Sequence, residues 1–204
     1  MKTTDMSGSA NQSRAHQLCV LVGLVASAAA VRLLLRDLPN FAPVAGVALF
    51  AGYYFRSRWA AIAAPLLTMA ATDLIIGGYF LPMMVAVYGS LAAPALLSRW
   101  LRTRAEIRGE QRWSGQLARV AGWVACGLGC SLLFFFASNF AVWLFSPFHA
   151  FAYPLTIAGL IECYAMALPF FRFTLAGDLL TSCVLFGGYA AVINLRRSPS
   201  VAAA

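Results

Sequence analysis

The side chains with chemistry to offer are few, and they stand in apolar surroundings. Asp73, Asp178 and Glu162 each interrupt a long apolar stretch, and Asn40, Asn139 and Arg172 join them. A charged or amide side chain inside lipid is costly, so each is a functional candidate by default. Such groups hydrogen-bond or ion-pair with a polar solute. Phe41, Trp143, Tyr164 and Phe171 are the candidates to stack on its aromatic or apolar part. Small-molecule pockets are built this way, mostly apolar with a few convergent polar groups. An Asp73–Asp178 pair is also a conceivable acid–base couple for an intramembrane enzyme. Against that, the chain has no HExxH and no GxSxG motif. Its two histidines, His16 and His149, lie outside the apolar runs, which disfavours haem. No catalytic residue, metal ligand or cofactor is expected. The five cysteines are odd in number and contain no CxxC pair, so neither a zinc site nor a disulfide framework is signalled. Cys126 and Cys130, one helical turn apart, read as small core residues rather than a metal pair.

Each candidate also has a structural reading. Asp73 and Asp178 could pair with an arginine or cap a neighbouring helix. Asn139 has the chemistry of an interhelical hydrogen bond. Trp143, Tyr79 and Tyr153 suit an interfacial aromatic belt, and Tyr88 suits core packing. Glu162 fits bland structure least, unless it is solvated at the surface.

The elements that must carry these residues follow from composition. Of 204 residues, 61% are hydrophobic and 11% charged, against about 45–50% apolar and about 25% charged in ordinary globular domains. A soluble domain of this size could not hide so much apolar surface, whereas a lipid-spanning helix needs roughly 20 such residues. The expected fold is an all-α integral membrane protein, a compact bundle of about six transmembrane helices. The spans are read at 17–35, 41–55, 59–77, 80–98, 117–145 and 173–193. Residues 1–16 read as a flexible tail and 196–204 as a second tail. Residues 146–171 hold Pro147, Pro154 and Pro169 around a 14-residue apolar stretch, 155–168. That length suggests a re-entrant or interfacial segment before the last helix. Ala26-Ser27-Ala28 imitates a signal-peptidase site, but the apolar run continues to Leu35, so it is taken as the first membrane helix.

The basic residues orient the bundle. The net charge is +8, and the arginines fall in short loops beside apolar runs, five of them between Arg99 and Arg112. No basic stripe interleaves with aromatics, so they are topology signals and not a nucleic-acid surface. With the N-terminus inside, the inner segments hold twelve basic residues against three acidic ones. Both termini are therefore expected in the cytoplasm of a multi-pass protein of the cell inner (plasma) membrane. On this topology Asn40, Asp73, Asn139, Glu162, Arg172 and Asp178 cluster towards the outer side, while the inner halves are nearly bare. A proton or ion relay would need polar groups through the whole depth. The pattern is that of a capture pocket open outward. Outer acids (Asp37, Asp73, Glu162, Asp178) outnumber outer bases (Arg32, Arg36, Arg172) by one. That tilts the solute towards cationic or neutral, although the arginines leave an anion open. Ala26 and Ala30, with Gly23 and Ser27, give the first helix a small-residue face for close packing, inside the bundle or against a partner. A faint echo, Asn40-Phe41-Ala42 before Asp73-Leu74 and Asn139-Phe140-Ala141 before Asp178-Leu179, hints at inverted three-helix repeats, with spacings that differ by five residues.

Four blocks carry a family resemblance. They are Asn40-Phe41-Ala42-Pro43-Val44 with Ala48-Leu49-Phe50-Ala51-Gly52, then Phe135-Phe136-Ala137-Ser138-Asn139-Phe140-Ala141-Val142-Trp143. The third is Tyr153-Pro154 with Gly159-Leu160, Cys163-Tyr164 and Ala167-Leu168-Pro169-Phe170-Phe171. The fourth is Gly177-Asp178-Leu179-Leu180 with Leu185-Phe186-Gly187-Gly188-Tyr189. Together they resemble a family of uncharacterised bacterial membrane proteins similar to the substrate-capture (S) components of energy-coupling-factor transporters. The resemblance covers roughly residues 30–193. It implies a bundle that binds a vitamin-like or micronutrient solute from outside and works with a transmembrane coupling subunit and ATPases. Ala26 and Ala30 would supply the coupling face, and residues 36–40 and the outer connection before the last helix would gate the site. The chain has no GxxxxGK(S/T) loop of its own. The competing readings are a ligand-free structural or assembly subunit, whose polar groups pair off and leave no cavity, and the carboxylate enzyme.

Overall fold

The computed structural model describes residues 3–38, 41, 43–78, 80–108, 113–148 and 153–197. All regular structure among them is helical: α1 (Thr3–Leu34), α2 (Val44–Tyr54), α3 (Arg58–Ile76), α4 (Leu81–Arg108), α5 (Trp113–Leu144) and α6 (Ile157–Arg197), with a single 3₁₀ turn at Ser146–Phe148. Among the described residues, five stretches are long and apolar enough to cross a membrane: Arg14–Leu34, Arg58–Ile76, Leu81–Arg99, Val124–Leu144 and Ile157–Ile193.

The short helix organises the rest. The sequence VAGVALFAG is apolar all round, which suits a helix with no solvent face, and every residue from Val44 to Gly52 is buried. Eleven residues rise only about 16 Å, so α2 lies inside the bundle and does not cross it alone, unlike the span expected at 41–55. Two glycines let its neighbours close on it. A Cβ at Gly52 would fall 2.1 Å from the Ala95 carbonyl oxygen of α4, and one at Gly46 would fall 2.9 Å from the Asp178 carbonyl oxygen of α6. Ser98 fills the remaining gap on α4 by donating to the Leu49 carbonyl at 2.6 Å. Helices approach this closely only where side chains vanish from the contact.

Two further boundaries differ from expectation. Helix α1 runs back to Thr3, through the segment read as a flexible tail. The stretch read as re-entrant is the beginning of α6, which continues for 41 residues without a break. Pro154 precedes the helix, where the missing N–H costs nothing. Pro169 sits inside it, where helix geometry survives because neighbouring contacts on α5 hold both sides of the proline. Tyr164 donates to the Phe136 carbonyl at 2.9 Å before it, and Phe171 packs on Phe135 at 4.9 Å after it. At 1.5 Å per residue α6 is roughly 60 Å long, about twice a bilayer's hydrocarbon thickness.

The burial pattern is inverted relative to a water-soluble bundle. Thr68, Thr72, Asp73, Ser98, Ser131, Thr174 and Asp178 are buried, while Leu74 is 87% and Val184 71% exposed. Large apolar side chains line the outside of α1, α3, α5 and α6 in the same way. In water so much contiguous apolar surface would drive association.

The bundle has two distinct ends. At one, His16 of α1 lies 3.2 Å from the Tyr54 hydroxyl at the end of α2. There Arg102 of α4 donates to the Tyr53 carbonyl at 2.7 Å, and Arg99 donates to the Arg56 carbonyl. These guanidinium groups take up carbonyls left over where α2 stops. Phe50, Tyr53, Tyr54, Phe186 and Tyr189 pack as a cluster of rings just above. The other end opens into a cavity.

Candidate functional site

The cavity follows from the shortness of α2. Helices α1, α3, α4, α5 and α6 continue past Val44, but α2 does not, and a space of about 530 Å³ is left over its first turn. Its walls are mostly apolar, with Phe41, Met69, Met83, Val87, Leu91, Phe134, Phe135 and Phe171 prominent. Polar groups enter from few places: Arg32, Arg36, Ser138, Asn139, Thr174 and Asp178. The volume lies within the range of about 300–1,000 Å³ typical of small-molecule pockets.

Asp178 forms part of the floor. Its carboxylate accepts from Ser131 of α5 at 2.6 Å, and the backbone amides of Ala45 and Gly46 turn towards it. Helix α2 has Pro43 at its N-cap and no capping side chain of its own. The amides of its first turn are buried and need acceptors. Asp178 faces them from another helix, where its carboxyl oxygens are the nearby acceptors. Asp178 thus stands where a cap of α2 would stand, at the edge of the cavity.

A second network braces the wall. Arg32 Nη1 donates to Asp73 Oδ1 at 2.7 Å and also to the Thr72 hydroxyl. Tyr88 of α4 donates to Asp73 Oδ2 at 2.7 Å. Asp73 is 4% and Arg32 17% exposed, so the ion pair is largely withdrawn from solvent. Three helices are tied by it. Asp73 does not itself line the cavity; it holds Arg32, which does. Replacing Tyr88 with phenylalanine should therefore lower stability by about 1.5 kcal/mol, the worth of a hydrogen bond to a charged group. Chemical denaturation in detergent, followed by circular dichroism, would read that loss; no change would mean Tyr88 is only packing.

The other expected residues divide plainly. Phe41, Asn139, Phe171 and Asp178 line the cavity. Asn139 Nδ2 donates to the Phe135 carbonyl of its own helix at 2.8 Å, and its side-chain oxygen makes no hydrogen bond among the described residues. Trp143 instead donates to the Pro154 carbonyl at 3.0 Å, closing the α5–α6 connection. Tyr164 is taken by the Phe136 carbonyl. Glu162 and Arg172 are exposed on α6, with the Arg172 guanidinium 4.8 Å from the centre of the Phe173 ring. None of these four lines the cavity. Asn40 lies outside the described residues. Ala26 and Ala30 are exposed on α1, on the opposite side from buried Leu24 and Ala28.

The chain matches the model of a family of unknown function, DUF6580, over residues 12–201. It belongs to that family. No curated protein and no solved structure matches it. Nothing in these comparisons links DUF6580 to energy-coupling-factor transporters. What this DUF6580 chain adds to the sequence reading is Arg32. In the sequence it stands among the outer bases and not among the candidate site residues. The available signal was an arginine inside the first apolar run, four residues from Arg36, which puts both on one side of the helix.

Proposed function

We propose that this chain is a membrane-embedded solute-binding subunit for uptake of a small, vitamin-like solute, working with a separate energising partner. The cavity over α2 is the observation that carries the reading. It is of ligand size, apolar with a few convergent polar groups, and bounded below by α2 itself. The excess of arginine at the opposite end favours a cytoplasmic location for that end. The cavity then opens to the outside, and the ring cluster below α2 closes the path inward. The outward apolar surface of five long helices supports a lipid surrounding. The exposed face of α1 with Ala26 and Ala30 is available to a coupling subunit.

A ligand-free structural subunit has one observation in its favour, since Asp73 and Asp178 are both engaged internally. The open cavity argues against it. An Asp73–Asp178 acid–base couple is disfavoured because Asp73 is turned into the Arg32–Tyr88 network and does not line the cavity.

The test is a thermal-shift screen of vitamins, nucleobases and related solutes on protein in mild detergent. A true ligand at 100 times its Kd contributes about 2.7 kcal/mol, a rise in Tm of roughly 5–10 °C for a chain of this size. The rise should shrink for Asn139→Ala and Phe171→Ala. A broad screen with no stabilising solute, on variants that fold normally, would move the structural-subunit reading to the front.

A further inference from the structure

We propose that the solute is an anion: a small molecule with an apolar or aromatic body and one carboxylate, held by Arg32 and Arg36. This rests on the solute-capture reading and names the chemistry of its ligand. Among the described residues, three ionisable side chains line the cavity: Arg32, Arg36 and Asp178. Asp178 already accepts from Ser131 and faces the amides of α2, so it has little to offer a cation. Asp73 is likewise saturated, by Arg32 and Tyr88, and lies behind the wall.

Arg32 is engaged through Nη1 alone. Its Nε and Nη2 make no hydrogen bond among the described residues. These two nitrogens share one edge of the guanidinium, the fork that takes a carboxylate through two parallel hydrogen bonds. The pair with Asp73 fixes the guanidinium plane, so little side-chain freedom is left to lose on binding. Arg36 stands one turn further along at the rim. Its contact with Asp37 is a loose 3.9 Å between largely exposed groups, weak enough to yield to a buried ligand. The cationic groups therefore gather on the α1 side. Phe41, Phe134, Phe135 and Phe171 supply the surface for an apolar body. The free acceptor oxygen of Asn139 can take a hydrogen-bond donor carried on that body. The accessible charge thus runs opposite to the count of outer acids and bases in the sequence, because both buried aspartates are spent on internal partners.

The experiment uses the full-length protein in a non-ionic detergent and three matched probe sets. Each set has one body with three heads: indole-3-acetate, indole-3-acetamide and tryptamine; 2-naphthoate, 2-naphthamide and 2-naphthylmethylamine; octanoate, octanamide and octylamine. Binding is read by equilibrium dialysis and by thermal shift. In at least one set the carboxylate should bind at least tenfold tighter than its amide, with the amine weakest. Arg36→Gln should weaken the carboxylate and leave the amide unchanged. Arg32→Lys, which keeps the charge and loses the fork, should do the same, and Arg36→Gln keeps the test sound if the Arg32 variant fails to fold. Amines or amides that bind as well as carboxylates, or carboxylate binding untouched by Arg36→Gln and Arg32→Lys, would overturn the anion assignment and leave solute capture standing. No binding by any member of any set would overturn both.

Discussion

Gly52→Ala should prevent α2 from seating against α4 and abolish most of the folded protein. The added methyl group would sit 2.1 Å from the Ala95 carbonyl oxygen and 2.4 Å from Ser98 Oγ. The carbonyl belongs to helix backbone and has no rotamer by which to move away. Overpacking a close contact costs about 1–3 kcal/mol, and more where backbone must shift. Here the helices would have to separate by about an ångström or more along a contact that also carries the Ser98–Leu49 hydrogen bond. The effect should therefore reach or pass the top of that range. Cys126 and Cys130 offer a direct readout, since both are buried against Leu49 of the same helix. In Gly52→Ala their thiols should react with a maleimide dye at temperatures where the native protein protects them. Gly129→Ala on α5 is the control, because nothing lies within 4 Å of a Cβ there. If both variants melt alike, the close approach of α2 and α4 is not what holds the core.

The second large effect is at Asp178. Alanine there removes the acceptor of the Ser131 hydroxyl and the carboxyl group that faces the first-turn amides of α2. Each buried donor left unsatisfied costs about 1–3 kcal/mol, and no side chain on α2 can replace the lost cap. A loss of about 3–5 kcal/mol is expected. Asp178→Asn keeps one acceptor oxygen and should lose less than half as much. Urea titration in detergent separates the two, and hydrogen exchange should find the loss concentrated at Val44–Val47. Equal, small losses for both variants would mean that Asp178 serves a ligand and not the helix. That outcome would also weaken the case for an anionic solute, because the carboxylate would then be free to meet a cation.

These two positions differ in how far the sequence reveals them. Asp178 is conspicuous as a lone acid in an apolar run, and its capping role was one of the readings such a residue admits. Gly52 is one of 16 glycines, and nothing in the local pattern singles it out. Its weight comes from Ala95 and Ser98, more than forty positions away. Arg32 lies between these cases: its charge inside an apolar run is visible, but its partner is not. Asp73 turns away from the cavity because Arg32 and Tyr88, on two other helices, receive it. The straight course of α6 was hidden for a different reason. Pro169 argues locally against a continuous helix, and only the packing of Tyr164 and Phe171 on α5 overrides it.

By itself the sequence determined the helical class, because runs of apolar residues without period-2 alternation satisfy backbone hydrogen bonds within one segment and leave greasy side chains outside. It also determined which end gathers the arginines, since charge cannot lie within the apolar runs at low cost. The tertiary structure alone decided that α2 stops short inside the bundle, that a cavity stands over its first turn, and which ionisable groups face that cavity. Those outcomes depend on contacts between residues far apart in the chain. A carboxylate's availability to a ligand is set by whether a serine, a tyrosine or a helix end has reached it first.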